Sequence, residues 1–388
     1  MKEHPMVQAS EKQVAQARKA AAGIKKSTTL VMVEMEKGRE THVMERGVFL
    51  DKGKKVSHGT PAVLHQWNES LPDNRLGLAQ WLVSRDNPLV ARVTVNRWWA
   101  QFMGRGIVTT EEDFGSQSTP PTHPGLLDWL AVEFMEKGWS MKEIHRTIVL
   151  SSTYCQDSRI SPAMLREDPK NSLYARGPRF RMTAEMIRDN ALRISGLLST
   201  RMHGAPIYPP QPSNIWRQVG RNEPKYTAAT NEDRFRRGIY VIWRRAAPYP
   251  SFVNFDGPDR SACHPRRSRT NTPLQALTLL NDEAYVEMAL AFASRILTTH
   301  PKADNDGKIR FAFRTALARE PSRAEIAALQ DLFGAEMSAL QANPKRANEL
   351  LSGIKGFKPS PGLNRQQLAA WFAIANVLLN LDETVTKS

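Results

Sequence analysis

Five helix starts are written into this chain as polar side chains set just ahead of a proline, or three residues ahead of an acid or amide. They are Asp86-Asn87-Pro88, Thr122-His123-Pro124, Ser140 with Glu143, Thr272-Pro273 with Gln275, and Ser322 with Glu325. A short polar side chain at the N-cap accepts from backbone N–H groups that the first turn leaves free, and proline at the next position arrives with its φ already set. The apolar spacing that follows predicts helices from Pro88 to Met103, stopped by Gly104, and from Pro124 to Lys137, stopped by Gly138. Further helices are predicted from Ser140 through Leu150, Thr183 to Leu198, Thr272 through Leu280 with a second following to about Leu297, Ser322 to Leu340, and Arg365 to Leu381. The expected fold class is mainly α.

Strand signals are few. Thr28 to Glu36 (TTLVMVEME) alternates apolar and polar residues, and Thr41 to Leu50 reads as its partner across Lys37-Gly38. Asp51 to Pro61 reads as a basic loop. Between Arg201 and Arg269 the prolines 206, 209, 210 and 212 break the pattern, and only Gly238 to Trp243 (GIYVIW) looks like a strand. A small antiparallel β element, built from the front strands and Gly238 to Trp243, is therefore expected beside long ordered Arg- and Pro-rich loops. The chain divides in expectation at 70: a connector of polar helix and short strands over 1–70, then a helical domain over 71–388, open to a split into lobes 71–200 and 201–388.

Several classes drop out early. With 41% hydrophobic and 24% charged residues the chain has globular composition. No run reaches the roughly 18 apolar residues of a membrane span. Two cysteines, Cys155 and Cys263, exclude a disulfide scaffold and a four-cysteine metal site, and the sequence leaves open whether they pair. Asp113-Phe114-Gly115 spells a kinase metal motif, but it precedes His145-Arg146 and no Gly-rich loop or catalytic-loop Asp accompanies it. No metal site and no cofactor is expected.

The charge is +15 and uneven. From Tyr174 to Arg269 seventeen arginines and one lysine face seven acids. Arginine presents a planar fork matched to carboxylate, phosphate or sulfate, so an anionic-ligand surface is one reading. Arginines paired with buried acids and helix ends are the other. The densest point, Arg266-Arg267-Ser268-Arg269, precedes the Thr272 cap, where Thr270, Asn271 and Gln275 serve either an anion or the cap itself.

Candidate chemistry falls on few residues. His123 lies at a helix start whose dipole favours neutral imidazole, available as a base or simply packed. His145 lies on a helix with Glu143 and Arg146. Asp113 is near both in sequence, and Asp256 lies with Asp259-Arg260 in the loop FDGPDR. Asp113, His123, His145 and Asp256 are the catalytic candidates. Arg181, Glu185, Arg188 and Asp189 form an i, i+3 and i, i+4 set that is either a surface ion-pair lattice or a polar core joining the basic segment to the helices. With Arg237, Arg260, Arg267, Arg269, Thr270, Asn271 and Gln275 they complete the binding candidates.

Taken in order, the strings NPLVARVTVNRWWAQFMGRGIV (87–108), DFGSQSTPPTHPGLLDWLA (113–131), GWSMKEIHRTIVLSSTY (138–154), RGIYVIWRR (237–245) and FDGPDRSACHPRRSRTNTPLQALTLLND (255–282) resemble the domain of unknown function 1553 family, the planctomycete PSD-type domain. The resemblance covers about 71–382, and Thr28 to Val63 is similar to the family's connector. It implies the closing part of a long extracytoplasmic protein, behind a signal peptide and a cytochrome-c-like domain, with no assigned activity. A carbohydrate link follows by association with polysaccharide-degrading bacteria. Met1 then reads as an internal start; were it the true start, the chain, which opens without a signal peptide, would be cytoplasmic. The partners expected are an anionic or polyhydroxylated glycan or, alternatively, a cytochrome-type redox protein. A nucleic acid is suggested by charge but supported by no motif.

Overall fold

A computed structural model describes residues 4–24, 28–218, 225–353 and 356–387. The chain forms two compact units, Met1–Pro88 and Leu89–Ser388.

In the first unit, helix α1 (Pro5–Gly23) buries none of its residues. Strands β1 (Thr41–Met44) and β2 (Lys52–Val56) form an antiparallel hairpin with Thr41 opposite Val56. This corrects the expected pairing. Thr28 to Glu36 is not a strand, and β2 lies in the stretch expected as loop. The reversal occurs where Arg46 and Gly47 take left-handed conformations, at φ 50° and 76°, rather than at Lys37-Gly38. Alternation marks a residue run as fit for a sheet, but the turn selects the partner. Helix α2 (Arg75–Leu82) is capped by the Asn74 side chain, which accepts from Leu76 N and Gly77 N. Trp81 on α2 stacks on His65 at 4.4 Å between ring centroids.

The second unit opens with α3 (Val90–Met103), α4 (Pro124–Glu136) and α5 (Met141–Val149). These three pack around Val95, Ile107, Leu130, Ile144 and Ile148, all at 1% exposure or less. Ile144 and Ile148, one turn apart on α5, place the apolar stripe of that helix in this core. Two start signals act differently from expectation. The Ser140–Glu143 capping box does not form: Ser140 stands at the N-cap of α5 in an extended conformation but makes no side-chain cap hydrogen bond. Helix α3 starts at Val90, past the predicted Pro88, with no side-chain cap from Leu89.

The short α6 (Pro162–Glu167) leads to strand β3 (Phe180–Arg181), α7 (Ala184–Ser195), the short α8 (Pro250–Asn254), α9 (Pro273–Asn281) and α10 (Glu283–Thr299). Then come α11 (Asn305–Leu317), α12 (Arg323–Ala342), α13 (Pro344–Ser352), α14 (Arg365–Asn380), the one-turn α15 (Asp382–Val385) and strand β4 (Thr386–Lys387). Helices α10 and α14 form the centre of the larger core. Leu368, Trp371, Ile374, Ala375 and Leu378 make the inward stripe of α14, each at 1% exposure or less. Each large side chain so buried contributes about 1.5–3 kcal/mol. Strand β4 pairs antiparallel with β3, Phe180 opposite Lys387, which ties the end of the chain to the entry of α7.

Gly238 to Trp243 is not a strand. Gly238 to Tyr240 forms a 3-10 turn, followed by a parallel bridge between Val241 and Ile207. The Asp189 carboxylate holds the start of this turn, its Oδ1 accepting from Gly238 N at 2.6 Å, and the bridge that follows is limited to Ile207, which donates to the Tyr240 carbonyl and accepts from Ile242 N. The fold is mainly α, with fifteen helices and two two-stranded antiparallel sheets among the described residues.

Candidate functional site

Within the second unit a cleft of about 550 Å³ opens between the C-terminal end of α3, the exposed side of α7 and the loop joining α8 to α9. Its lining includes six arginines, 181, 237, 260, 266, 267 and 269, against four carboxylates, Glu111, Glu185, Asp189 and Asp256. Met186 and Ile239 supply exposed apolar wall, with Trp243 and the buried Phe252 and Phe255 behind.

The loop is built to present arginines. Asp256, left-handed at φ 59°, receives Thr270 N at 2.7 Å and the Thr270 hydroxyl at 2.9 Å. One carboxylate thus closes both ends of a compact loop running from 256 to 270. Behind it, Gln275 is fully buried on α9. Its Nε2 donates to Thr270 Oγ1 and its Oε1 accepts from Arg181 Nη2, both at 3.1 Å. The Thr272 cap forms only in part: Thr272 Oγ1 accepts from Gln275 N, while the Gln275 side chain serves Arg181 and Thr270 instead of returning to the cap. Arg181 also reaches Asn271 Oδ1 at 3.1 Å and Asp382 Oδ1 at 2.8 Å.

The charged set on and around α7 points across to other segments rather than along the helix. Arg267 Nη1 donates to Glu185 Oε2 at 2.6 Å, and Arg237 Nε to Asp189 Oδ2 at 3.3 Å. Burial pushes the Glu185 carboxyl up, but the Arg267 bond and charge together with hydrogen bonds from its own backbone N–H and from Thr183 hold the group below its ordinary range. Arg188, at 2% exposure, turns inward and donates to the Arg234 carbonyl at 2.6 Å. Arg234 pairs with buried Glu287, and Arg236 stacks on Tyr240 at 4.0 Å. The arginine-rich segment therefore divides: Arg188, Arg234 and Arg236 build the interior, while the loop arginines face the cleft.

Three cleft arginines make no ion pair among the described residues. Arg260 lies over the Trp243 ring at 4.6 Å. Arg269 lies over Phe180 at 4.2 Å and donates to the Gly104 carbonyl at 3.2 Å. Arg266 has no hydrogen-bond partner among the described residues and acts electrostatically on Glu111.

The four catalytic candidates are dispersed. Asp256 lines the cleft, with its oxygens engaged by Thr270. Asp113 lies outside the lining and accepts from Gly115 N at 2.7 Å in a tight turn. His123 contacts Thr122 Oγ1 at 3.0 Å and packs on Tyr174. His145 packs among Trp98 and Phe102 in the smaller core, where burial lowers its pKa and keeps the ring neutral. Among the binding candidates, Arg181, Glu185, Asp189, Arg237, Arg260, Arg267, Arg269 and Gln275 line the cleft. Thr270 and Asn271 support it from behind, and Arg188 lies in the core.

Glu111 joins the cleft without any sequence signal to mark it. It is 4% exposed, lines the cleft, and makes no hydrogen bond among the described residues. Burial pushes its carboxyl up, against the opposing charge of Arg266. Nothing in an acidic run at 111–113 marks which member turns inward. No group of three or more metal-ligating side chains occurs among the described residues, and both cysteines are exposed and free. No described helix is long and apolar enough to cross a membrane.

A family model described as "Protein of unknown function (DUF1553)" matches residues 74–333, and the chain belongs to that family. No curated protein and no solved structure matches the chain.

Proposed function

We propose that this member of the DUF1553 family binds an anionic, polyhydroxylated polysaccharide in the cleft beneath the 256–270 loop. One observation carries the reading: Arg260, Arg266 and Arg269 line one cleft and none is neutralised by a carboxylate hydrogen bond among the described residues. Guanidiniums held by aromatic rings and a carbonyl keep their outward N–H groups for a ligand, and a planar fork suits carboxylate or sulfate oxygens. Met186 and Ile239, both exposed in the cleft lining, give a sugar face something apolar to pack on. An extracytoplasmic setting belongs to the same proposal and is supported by the family resemblance.

The test is a binding panel on the full chain at fixed salt, with neutral, carboxylated and sulfated polysaccharides and DNA of matched charge. A triple variant, Arg260→Ala, Arg266→Ala, Arg269→Ala, is run beside it after circular dichroism has verified its fold. Selective binding of the acidic polysaccharides, weakened at least about tenfold in the variant, is expected. Equal binding of DNA, or full binding by the variant, would overturn the reading.

A further inference from the structure

The carboxylates of the cleft are not equivalent. Glu185 is tied to Arg267, Asp189 to Arg237 and Gly238 N, and Asp256 to Thr270. Glu111 alone among these four has no hydrogen bond among the described residues. It is held in place by a tight turn, in which Asp113 N donates to the Thr110 carbonyl at 2.9 Å and Thr110 Oγ1 donates to the Asp113 carbonyl at 2.9 Å. The charges acting on it are Arg266 and Arg269 from the loop, Arg97 from α3, and the adjacent Glu112. His264 is the remaining titratable group of the cleft wall.

We propose that Glu111 is the specificity-determining residue of this cleft, admitting an anionic ligand together with one proton. This rests on the anion-binding reading above. An ionised Glu111 offsets Arg266 and Arg269 and repels the incoming anion. A protonated Glu111 leaves both guanidiniums to the ligand and adds an O–H donor of its own. The electrostatic bias is already in the fold, since burial raises the Glu111 pKa and so favours the neutral form. Reciprocity requires that the bound anion hold that proton more tightly still. The ligand class follows: a group whose negative charge persists in mildly acidic solution, as sulfate esters and uronates do. Neutral sugars gain nothing from the proton.

The experiment titrates a sulfated oligosaccharide, whose charge is constant between about pH 5 and about pH 8, into the full chain by calorimetry. Two buffers of different ionisation enthalpy count the protons taken up. The chains compared are wild type, Glu111→Gln, His264→Gln, and Arg266→Ala with Arg269→Ala. Wild-type affinity is expected to fall by roughly tenfold across that range, with proton uptake on binding. E111Q should bind at the high end as wild type binds at the low end, and its profile should be flat. H264Q should keep the wild-type slope. Loss of binding in the arginine pair, with E111Q still titrating like wild type, would overturn the role of Glu111 and leave the anion site standing. A slope lost in H264Q and kept in E111Q would transfer the role to His264. No binding by any chain at any pH would overturn both proposals.

Discussion

Both carboxylate oxygens of Asp256 are occupied by one residue, Thr270, through its backbone N–H at 2.7 Å and its hydroxyl at 2.9 Å. An acid so used is a clasp. It closes a fifteen-residue loop that carries four of the six cleft arginines. Asp256→Ala should leave the helical cores intact and free the loop to open. Trypsin should then cut after Arg266 or Arg267 roughly tenfold faster than in wild type, because local opening limits cleavage. Unchanged cutting would mean that the loop is held elsewhere.

Gln275 stands second in that chain of bonds. It is fully buried and joins Arg181 to Thr270 at 3.1 Å on each side. Gln275→Leu keeps the volume but strips Arg181 of one acceptor and Thr270 of one donor. Thr270 is exposed and Arg181 keeps Asn271 and Asp382, so the loss costs about 1 kcal/mol. Chemical denaturation should show that loss, and a cost below the ordinary surface range would mean that water replaces the amide.

The helices were legible because their starts and stops are local. Ser322 and Thr272 act as caps, Gly104 ends its helix in a left-handed conformation, and the apolar stripes follow, whereas α7 stops at left-handed Gly196, short of the expected Leu198. What escaped was set by distant partners. Gly238 to Tyr240 winds into a 3-10 turn whose first N–H is held by Asp189, against the strand preference of its own residues. The 256–270 loop was visible as an arginine cluster, but Arg188 carries the same charge and lies in the core. Glu111 could not be singled out from Glu112 and Asp113, because burial belongs to the turn and not to the residue type.

Gly104 ends α3 at φ 80°, and a Cβ built there would meet Phe180 Cδ1 at 2.7 Å. Its carbonyl also receives Arg269. Gly138 ends α4 at φ 63° with nothing within 4 Å of the same position. The two alanine variants therefore separate backbone strain from contact. Gly138→Ala should cost about 1 kcal/mol for the left-handed conformation alone. Gly104→Ala should cost about 1–3 kcal/mol more, for displacing Phe180, and should weaken polyanion binding through Arg269. Equal losses in thermal unfolding would remove Phe180 from the account.

Arg319 holds two acids at once. Its Nη1 and Nη2 donate to Glu325 at 3.0 and 2.6 Å, and its Nε and Nη2 to Glu383 at 2.8 and 3.0 Å. Glu325 in turn closes the Ser322 capping box at the start of α12, while Glu383 lies on α15, so one guanidinium pins the last turn before β4 to a helix start. The Arg319 bond holds the Glu325 carboxyl down to about 2, against an ordinary value of 4.5. A carboxyl lowered in the folded state is more readily protonated when unfolded, so its contribution is complete above about pH 4.5 and is lost as the pH falls toward about 2. The cluster is about one-third exposed, so its worth at neutral pH is of the order of 1 kcal/mol. Arg319→Ala should cost that much at pH 7 and progressively less as acid protonates Glu325. Denaturation curves of the two chains should converge at low pH, whereas a constant gap would assign the loss to packing of the Arg319 stem on Phe313.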